Sequence, residues 1–330
     1  MNKKTPQEKK RYIAIILALI PFFGLGIGHF YIGKYRKAFF YLIAPWLMHF
    51  ISTHIIINEH LYMFTLLFMP LLYIYAIIDV WRAFPLKNRF SLKYSRWYFV
   101  FLFMILNYSA ITLYFIFYFD VKERKINHFI VPASSMHNTI LKGDYLIAKK
   151  RKNIKRNDIV VFQYPLHPEV FFVKRLIATG GDEVIYVHKK VYVHFSEGDS
   201  YINEHYAKEY IKKYRNKLWV ENPYMINNKN IYYDKKINRT AFDNLLAREN
   251  AMDAIYLDDE NLESYQKSNG KKINAFYFKV SPNHYFMLGD NREHSFDSRF
   301  WGELDEQFIY GVPSLIYFNI YDFSRWGVSL

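Results

Sequence analysis

The chain has 330 residues, 52% of them hydrophobic and 20% aromatic, which is too apolar for disorder and long enough for two or three domains. Its 44 Lys+Arg against 30 Asp+Glu give a net charge of +14, which raises nucleic acid or an acidic lipid surface as partners. Cysteine is absent, which excludes disulfides, thiolate metal sites, iron–sulfur clusters and cysteine nucleophiles.

The mean hydropathy of −0.13 averages two unlike parts. Residues 1–120 hold 13 Lys+Arg and 4 acids, a balance of +9, whereas 121–330 carry only +5. The first part contains the apolar runs. Segments 38–57, 61–81 and 97–119 each have the roughly 20 residues needed to cross a hydrocarbon core, so three full spans are expected. Segment 12–32 precedes them and is interrupted by Pro21, Gly24, Gly26, Gly28 and His29. It is read as interfacial, re-entrant or a fourth span. No short apolar core followed by a small-residue cleavage site marks a cleavable leader.

Basic clusters before Tyr12, at Lys34–Lys37 and over Arg82–Arg96 face the cytoplasm by the positive-inside tendency. Asn58–His60 then tips a hairpin on the outer side, and the third span delivers everything after Asp120 to the extracytoplasmic side. A net charge of +9 thus accompanies the membrane segments, and nucleic acid lapses as a partner in favour of the lipid bilayer. Asp79, near the end of the second span, is read as an interfacial residue pairing with Arg82.

After Asp120 the pattern changes to short β-branched and aromatic runs: Tyr145–Ala148, Asp158–Phe162, Val170–Val173, Glu183–Val187, Lys190–His194, His284–Leu288 and Tyr310–Tyr317. Gly143-Asp144 and Gly180-Gly181-Asp182 read as turns between them. The expectation for 121–330 is a mostly β domain. Residues 195–273, rich in Lys, Asn, Asp and Tyr, read as an inserted α+β cap.

Without cysteine, covalent chemistry falls to a hydroxyl, a carboxylate or a lysine. There is no His-Glu-x-x-His and no Gly-x-Ser-x-Gly. There is Val131-Pro132-Ala133-Ser134-Ser135-Met136, and 39 residues after Ser135 comes Phe172-Val173-Lys174-Arg175-Leu176. Strand alternation puts Phe172, Lys174 and Leu176 on one face. If that face is inward, the lysine is desolvated and its pKa falls, as a lysine general base requires. A third segment runs Gly289-Asp290-Asn291-Arg292-Glu293-His294-Ser295-Phe296-Asp297-Ser298-Arg299.

Together these three segments resemble the type I signal peptidases, membrane-anchored Ser–Lys proteases of bacterial export. The resemblance covers about residues 127–190 and 280–318. It implies Ser135 as nucleophile, with its backbone N–H as an oxyanion donor, and Lys174 as general base. Ser295 would hydrogen-bond and orient the lysine, Asp297 and Arg299 would pair to hold the loop, and Met136 would help line the substrate groove. It further implies exported preproteins as substrates, cut after small residues, with no metal or organic cofactor. Ala133 departs from the family, many of whose members carry a serine there as a second oxyanion donor. His294 is a rival base, read as a solvent-exposed loop residue. Gly24-x-Gly-x-Gly28-His29-Phe30-Tyr31-x-Gly33, with Asp79 further on, resembles the TM-two membrane module.

The reading is a monomeric signal peptidase of the cytoplasmic membrane, multi-pass, with its catalytic domain outside. Two alternatives stand beside it. One is a self-cleaving Ser–Lys repressor-type protease, opposed by the membrane spans. The other is a catalytically weakened or inactive peptidase-fold scaffold, whose support is Ala133.

Overall fold

The computed structural model of the protein describes residues 10–19, 25–50, 59–84, 97–120, 126–151, 153–224, 231–233 and 240–330. The chain divides into two compact units, Met1–Ile126 and Asn127–Leu330.

The first unit is helical: α1 (Arg11–Leu19), α2 (Ile27–Tyr31), α3 (Tyr35–Phe50), α4 (Glu59–Ala83) and α5 (Trp97–Asp120). Its core is built from Ala14, Ala18, Ile27, Phe30, Ala38, Leu42, Val80, Val100 and Phe103. Small residues let the helices approach closely. A Cβ on Gly28 would lie 2.6 Å from the Ala14 carbonyl oxygen and 3.0 Å from the Val80 side chain, so this glycine serves packing. Segment 12–32 is broken rather than continuous, with α1 nine residues long and α2 five; residues 20–24 lie outside the described set. At 1.5 Å per residue neither piece crosses a bilayer. Of the expected spans, 61–81 falls within α4 and 97–119 within α5, while residues 51–57 of the first and the Asn58 end of the hairpin tip lie outside the described residues. Among the described residues no helix is both long and apolar enough to cross a membrane.

The pairing expected of Asp79 is corrected. Its carboxylate does not go to Arg82 but accepts two bonds from Lys37 Nζ at 2.7 and 2.8 Å and one from Tyr41 OH at 3.2 Å, and lies 2.9 Å from His29 Nε2. A residue three positions on is close in sequence, but the partners on α2 and α3 are brought to the Asp79 face by packing.

The second unit is mostly β. Its first half comprises β1 (Ile126–Ile130), β2 (Asp144–Lys150), β3 (Ile159–Tyr164), β4 (His167–Thr179), β5 (Glu183–Val187) and β6 (Lys190–His194). Then come α6 (Asp199–His205), β7 (Ile211–Tyr214), β8 (Lys217–Glu221), α7 (Ala241–Ala247), β9 (Asp253–Ile255), β10 (Tyr265–Gln266) and β11 (Lys272–Ile273). It closes with β12 (Ala275–Lys279), β13 (His284–Leu288), α8 (Ser298–Trp301), β14 (Leu304–Asp305), β15 (Ile309–Asn319) and β16 (Val328–Ser329). One sheet runs β1-β2-β15-β3-β4-β13-β14, with β16 also on β15; the other runs β7-β8-β6-β5-β12-β9. The principal core joins the two sheets: Ile177 and Ala178 of β4 and Phe286 and Leu288 of β13 meet Val184, Tyr186, Val191, Val193 and Phe276.

Residues 195–273 are therefore not a separate cap. Their strands β7, β8 and β9 extend the second sheet at both edges, through β8 on β6 and β9 on β12. Helix α7 inserts Phe242 and Leu245 into the shared core. Its start is fixed by a capping box between Thr240 and Asp243.

Candidate active site

β4 is long because it serves two partners. Its residues 171–175 pair with β3, and 175–179 pair with β13. Lys174 lies opposite Val160, on the face where Phe172, Leu176, Val160, Phe162 and Met287 pack together. The inward face expected from alternation is the one observed, and Lys174 is 5% exposed. Burial drives its pKa down from 10.5 to about 8; the attraction of Asp297 and Asp290 opposes this, and Arg299 adds to the lowering.

Ser135 sits in a tight turn that follows β1, closed by His137 N–H on the Ser134 carbonyl and Thr139 N–H on the Met136 carbonyl. Its Oγ lies 2.8 Å from Lys174 Nζ, and Nζ also donates to the Val173 carbonyl at 3.1 Å. The two residues 39 positions apart are thus in hydrogen-bond contact.

The loop after β13 clamps this turn. Asn291 N–H donates to the Ser135 carbonyl at 3.0 Å, and Asn291 Nδ2 donates to the Ser134 carbonyl at 3.2 Å. Thr139 Oγ1 donates to Asp290 at 2.6 Å, and Arg175 grips the same carboxylate with two bonds of 2.8 and 2.7 Å. Asp290, Asn291, Arg175 and Thr139 carry this clamp, although the sequence marks them only as neighbours of Ser135, Lys174 and Ser295. Their signal was the Gly-Asp-Asn-Arg run and the basic residue beside Lys174.

Asp297 and Arg299 pair, as expected. Arg299 donates to both carboxylate oxygens, at 2.8 and 2.9 Å, and to the Arg292 carbonyl at 2.7 Å. Both side chains are fully buried. Burial pushes the Asp297 carboxyl up, but the Arg299 charge and the hydrogen bonds from Arg299, Gly289 and Ser295 together outweigh it and the pKa falls below the usual range. Burial likewise opposes the charge on Arg299, and Asp297 outweighs it and raises that pKa. Asp297 also accepts from Gly289 N–H at 3.1 Å and from Arg299 N–H as the cap of α8.

Two expected roles are corrected. Met136 does not line the groove. It is fully buried with Val131, Ile140, Leu146, Ile159 and Ile316, because the turn that presents Ser135 directs the next side chain inward. Ser295 does not bond Lys174. Its Oγ is buried, directed to the Asp297 carboxylate and over Gly289, while the two bonds of Lys174 go to Ser135 and Val173. His294 is exposed, as expected, and Ala133 is exposed at the groove.

The groove holding Ser135 and Lys174 has a volume of about 510 Å³. Phe129–Ala133 form one wall and Val170–Val173 of β4 another, with Ser295, Phe296 and Phe300 beside the lysine. On β4 the stretch before Lys174 pairs with β3 but not with β13. It therefore leaves backbone groups on one edge to meet an extended peptide.

The family of signal peptidases designated peptidase S26 matches residues 104–318, well over half of the chain. The chain belongs to that family. The peptidase is 33% identical over 224 residues to signal peptidase I of Helicobacter pylori, covering 58% of this chain and 74% of the relative. It is 28% identical over 219 residues to signal peptidase I of Aquifex aeolicus, covering 60% and 78%. Among solved structures, a signal peptidase I from Enterococcus faecalis matches with a TM-score of 0.24 and 18% identity, over 48% of this peptidase and 96% of that chain. The TM2 domain matches residues 7–58.

Proposed function

We propose that the protein is a membrane-bound signal peptidase, a serine endopeptidase that removes N-terminal signal peptides from exported preproteins after small residues. The observation that carries this is the 2.8 Å approach of a buried Lys174 to Ser135 Oγ at the floor of a peptide-sized groove.

In this reading the substrate lies extended along β4, adding backbone bonds to its free edge. Neutral Lys174 accepts the Ser135 proton as Oγ attacks the scissile carbonyl. The oxyanion that forms is met by Ser135 N–H, which has no hydrogen bond among the described residues. The Lys174 ammonium then returns the proton to the departing amine, leaving an acyl-enzyme. Lys174 next takes a proton from water as the water attacks the ester. The bond from the acyl carbon to Ser135 Oγ breaks, the Lys174 ammonium returns its proton to Oγ, and the signal peptide leaves with a free carboxyl end. Asp297–Arg299 and Asp290–Arg175 hold the loop and turn, and touch no reacting atom. Ala133 supplies no second hydroxyl donor, and each such donor is worth roughly 3–4 kcal/mol in enzymes built around one. A decayed scaffold rests on that residue alone; Ser135 and Lys174 in bonding distance stand against it.

Residues 1–120 form the membrane region in this reading, and the rest is the extracytoplasmic peptidase. The outward apolar side chains support it: Phe40, Leu47, Leu71, Ile74, Phe101 and Leu102 are all exposed, Phe101 by 64%. So does the clustering of positive charge beside the apolar runs.

The decisive assay is processing of a preprotein by the wild type, Ser135→Ala and Lys174→Met. Cleavage should occur only with the wild type, and processing that survives in Ser135→Ala sinks the proposal. Protease added outside spheroplasts should reach residues 121–330; protection there would invert the topology.

A further inference from the structure

One part of the groove is not built by the segments that carry the family motifs. Helix α7, within 195–273, contributes Asn244, and Arg248 follows one residue past its end. Four residues apart, they lie on the same side of the segment, while Phe242 and Leu245 are buried in the core. Arg248 is exposed and its guanidinium has no ion-pair partner among the described residues. The backbone that presents it is fixed at several points. Asn250 Nδ2 donates to the Leu245 carbonyl at 2.9 Å and the Arg248 carbonyl at 3.3 Å, and Asn250 Oδ1 accepts from Met252 N–H at 3.1 Å. Ala251 N–H donates to the Arg299 carbonyl at 3.3 Å, tying this segment to the loop that clamps Ser135. The backbone that carries this cation is thus fixed at the rim of a groove walled elsewhere by the apolar residues of β1 and β4.

The neighbouring acid does not neutralise it. Glu293, also on the groove, is directed to Lys189, whose Nζ lies 2.8 Å from its carboxylate. The rim therefore presents a guanidinium, the Asn244 amide and His294 to whatever occupies the groove. Fork-shaped donors of this kind match a carboxylate.

We infer that Arg248, supported by Asn244, is a specificity determinant that favours substrates with an acidic side chain on the mature side of the cleavage site. This rests on the peptidase reading above. The side follows from the walls: the apolar β1 and β4 surfaces suit the small and apolar residues before the cut, which leaves the charged rim for the residues after it. The contact is exposed to solvent, so its effect is modest, up to about fivefold in kcat/KM, and it weakens with salt.

The test uses the full-length enzyme in detergent and fluorogenic peptides with alanine at the first and third positions before the cut. Glu, Gln or Lys is placed at each of three positions on either side. At one position after the cut, the wild type should prefer Glu over Gln over Lys. The Glu/Lys ratio should collapse in Arg248→Gln, invert in Arg248→Glu, and shrink at high NaCl. A Glu/Lys ratio that is flat in the wild type, or unchanged in both variants, overturns the inference while leaving the peptidase reading intact, because the Gln peptide is still cut. A preference found only before the cut overturns the assigned side. Failure of the wild type to cut any peptide defeats the peptidase reading and this inference with it.

Discussion

Replacing Lys174 by methionine should abolish cleavage and yet leave the peptidase unit at least as stable as the wild type at neutral pH. Lysine ordinarily titrates at 10.5, and Lys174 titrates at about 8 because burial disfavours its ammonium. Below pH 8 both the folded and unfolded chains carry the proton, so folding must hold an ammonium in the desolvated site at a cost of about 3 kcal/mol. Between about pH 8 and 10.5 the unfolded state binds the extra proton, so stability rises with pH and the cost disappears. Methionine has nearly the same shape and no charge. Against its gain stands the loss of the bonds to Ser135 and the Val173 carbonyl, about 0.5–1.5 kcal/mol apiece. The net at pH 7 lies between no change and a stabilisation of about 2 kcal/mol, or up to roughly 8 °C in Tm for a unit of this size. Near pH 10.5 the variant should be no more stable than the wild type, or less. Scanning calorimetry of both full-length proteins in one detergent, at pH 7 and pH 10.5, measures the difference, in which other titrations cancel. A wild-type-to-variant difference that does not move between those pH values would refute the desolvated-base argument.

Three further outcomes follow from the same geometry. Because only neutral Lys174 can accept the serine proton, kcat/KM should rise about tenfold per pH unit and level off above pH 8, leaving about 1% of the plateau at pH 6; a profile flat from pH 6 to 9 contradicts it. Gly289→Ala would put a Cβ 2.5 Å from the Ser135 carbonyl oxygen and from Ser295 Cβ, so kcat should fall about a hundredfold through displacement of the nucleophile, with far-ultraviolet circular dichroism unchanged. Ala133→Ser, at an exposed groove position, should raise kcat about tenfold or more by adding an oxyanion donor; an unaltered kcat would mean that another group already fills that place.

The parts of the site that were legible in the sequence are those carried on regular strands. Period-two alternation along Phe172-Val173-Lys174-Arg175-Leu176 gives the face of Lys174 without any tertiary information, and the structure buries that face. Met136 and Ser295 were misread because both lie in turns, where adjacency to a functional residue carries no direction. The sheet pairings of the 195–273 segment were not legible for another reason. Strands such as Ile211-Lys-Lys-Tyr214 have one weak apolar face, and their place in the sheet comes from β8 pairing with β6 across the intervening α6. Asp79 shows the same limit, since Lys37 is 42 residues away.

Burial lowers the pKa of Lys174, and the buried arginines engage the two carboxylates that oppose it. Two carboxylates lie close enough to attract its ammonium, Asp297 and Asp290. Had either formed an ion pair with Lys174, the charged form would be favoured and the proton could not be exchanged near neutral pH. Each is instead saturated by a two-pronged guanidinium, Arg299 on Asp297 and Arg175 on Asp290. Both carboxylates then offer Lys174 only a partial, longer-range attraction, and Arg299 adds a repulsion that works with burial. The same two pairs fix the loop and the turn whose junction places Ser135 Oγ on Nζ. Positioning the nucleophile and limiting the carboxylates' pull on a base whose pKa burial lowers are therefore tasks of the same two ion pairs. Losing either arginine would free a carboxylate for Lys174 and loosen the clamp at once.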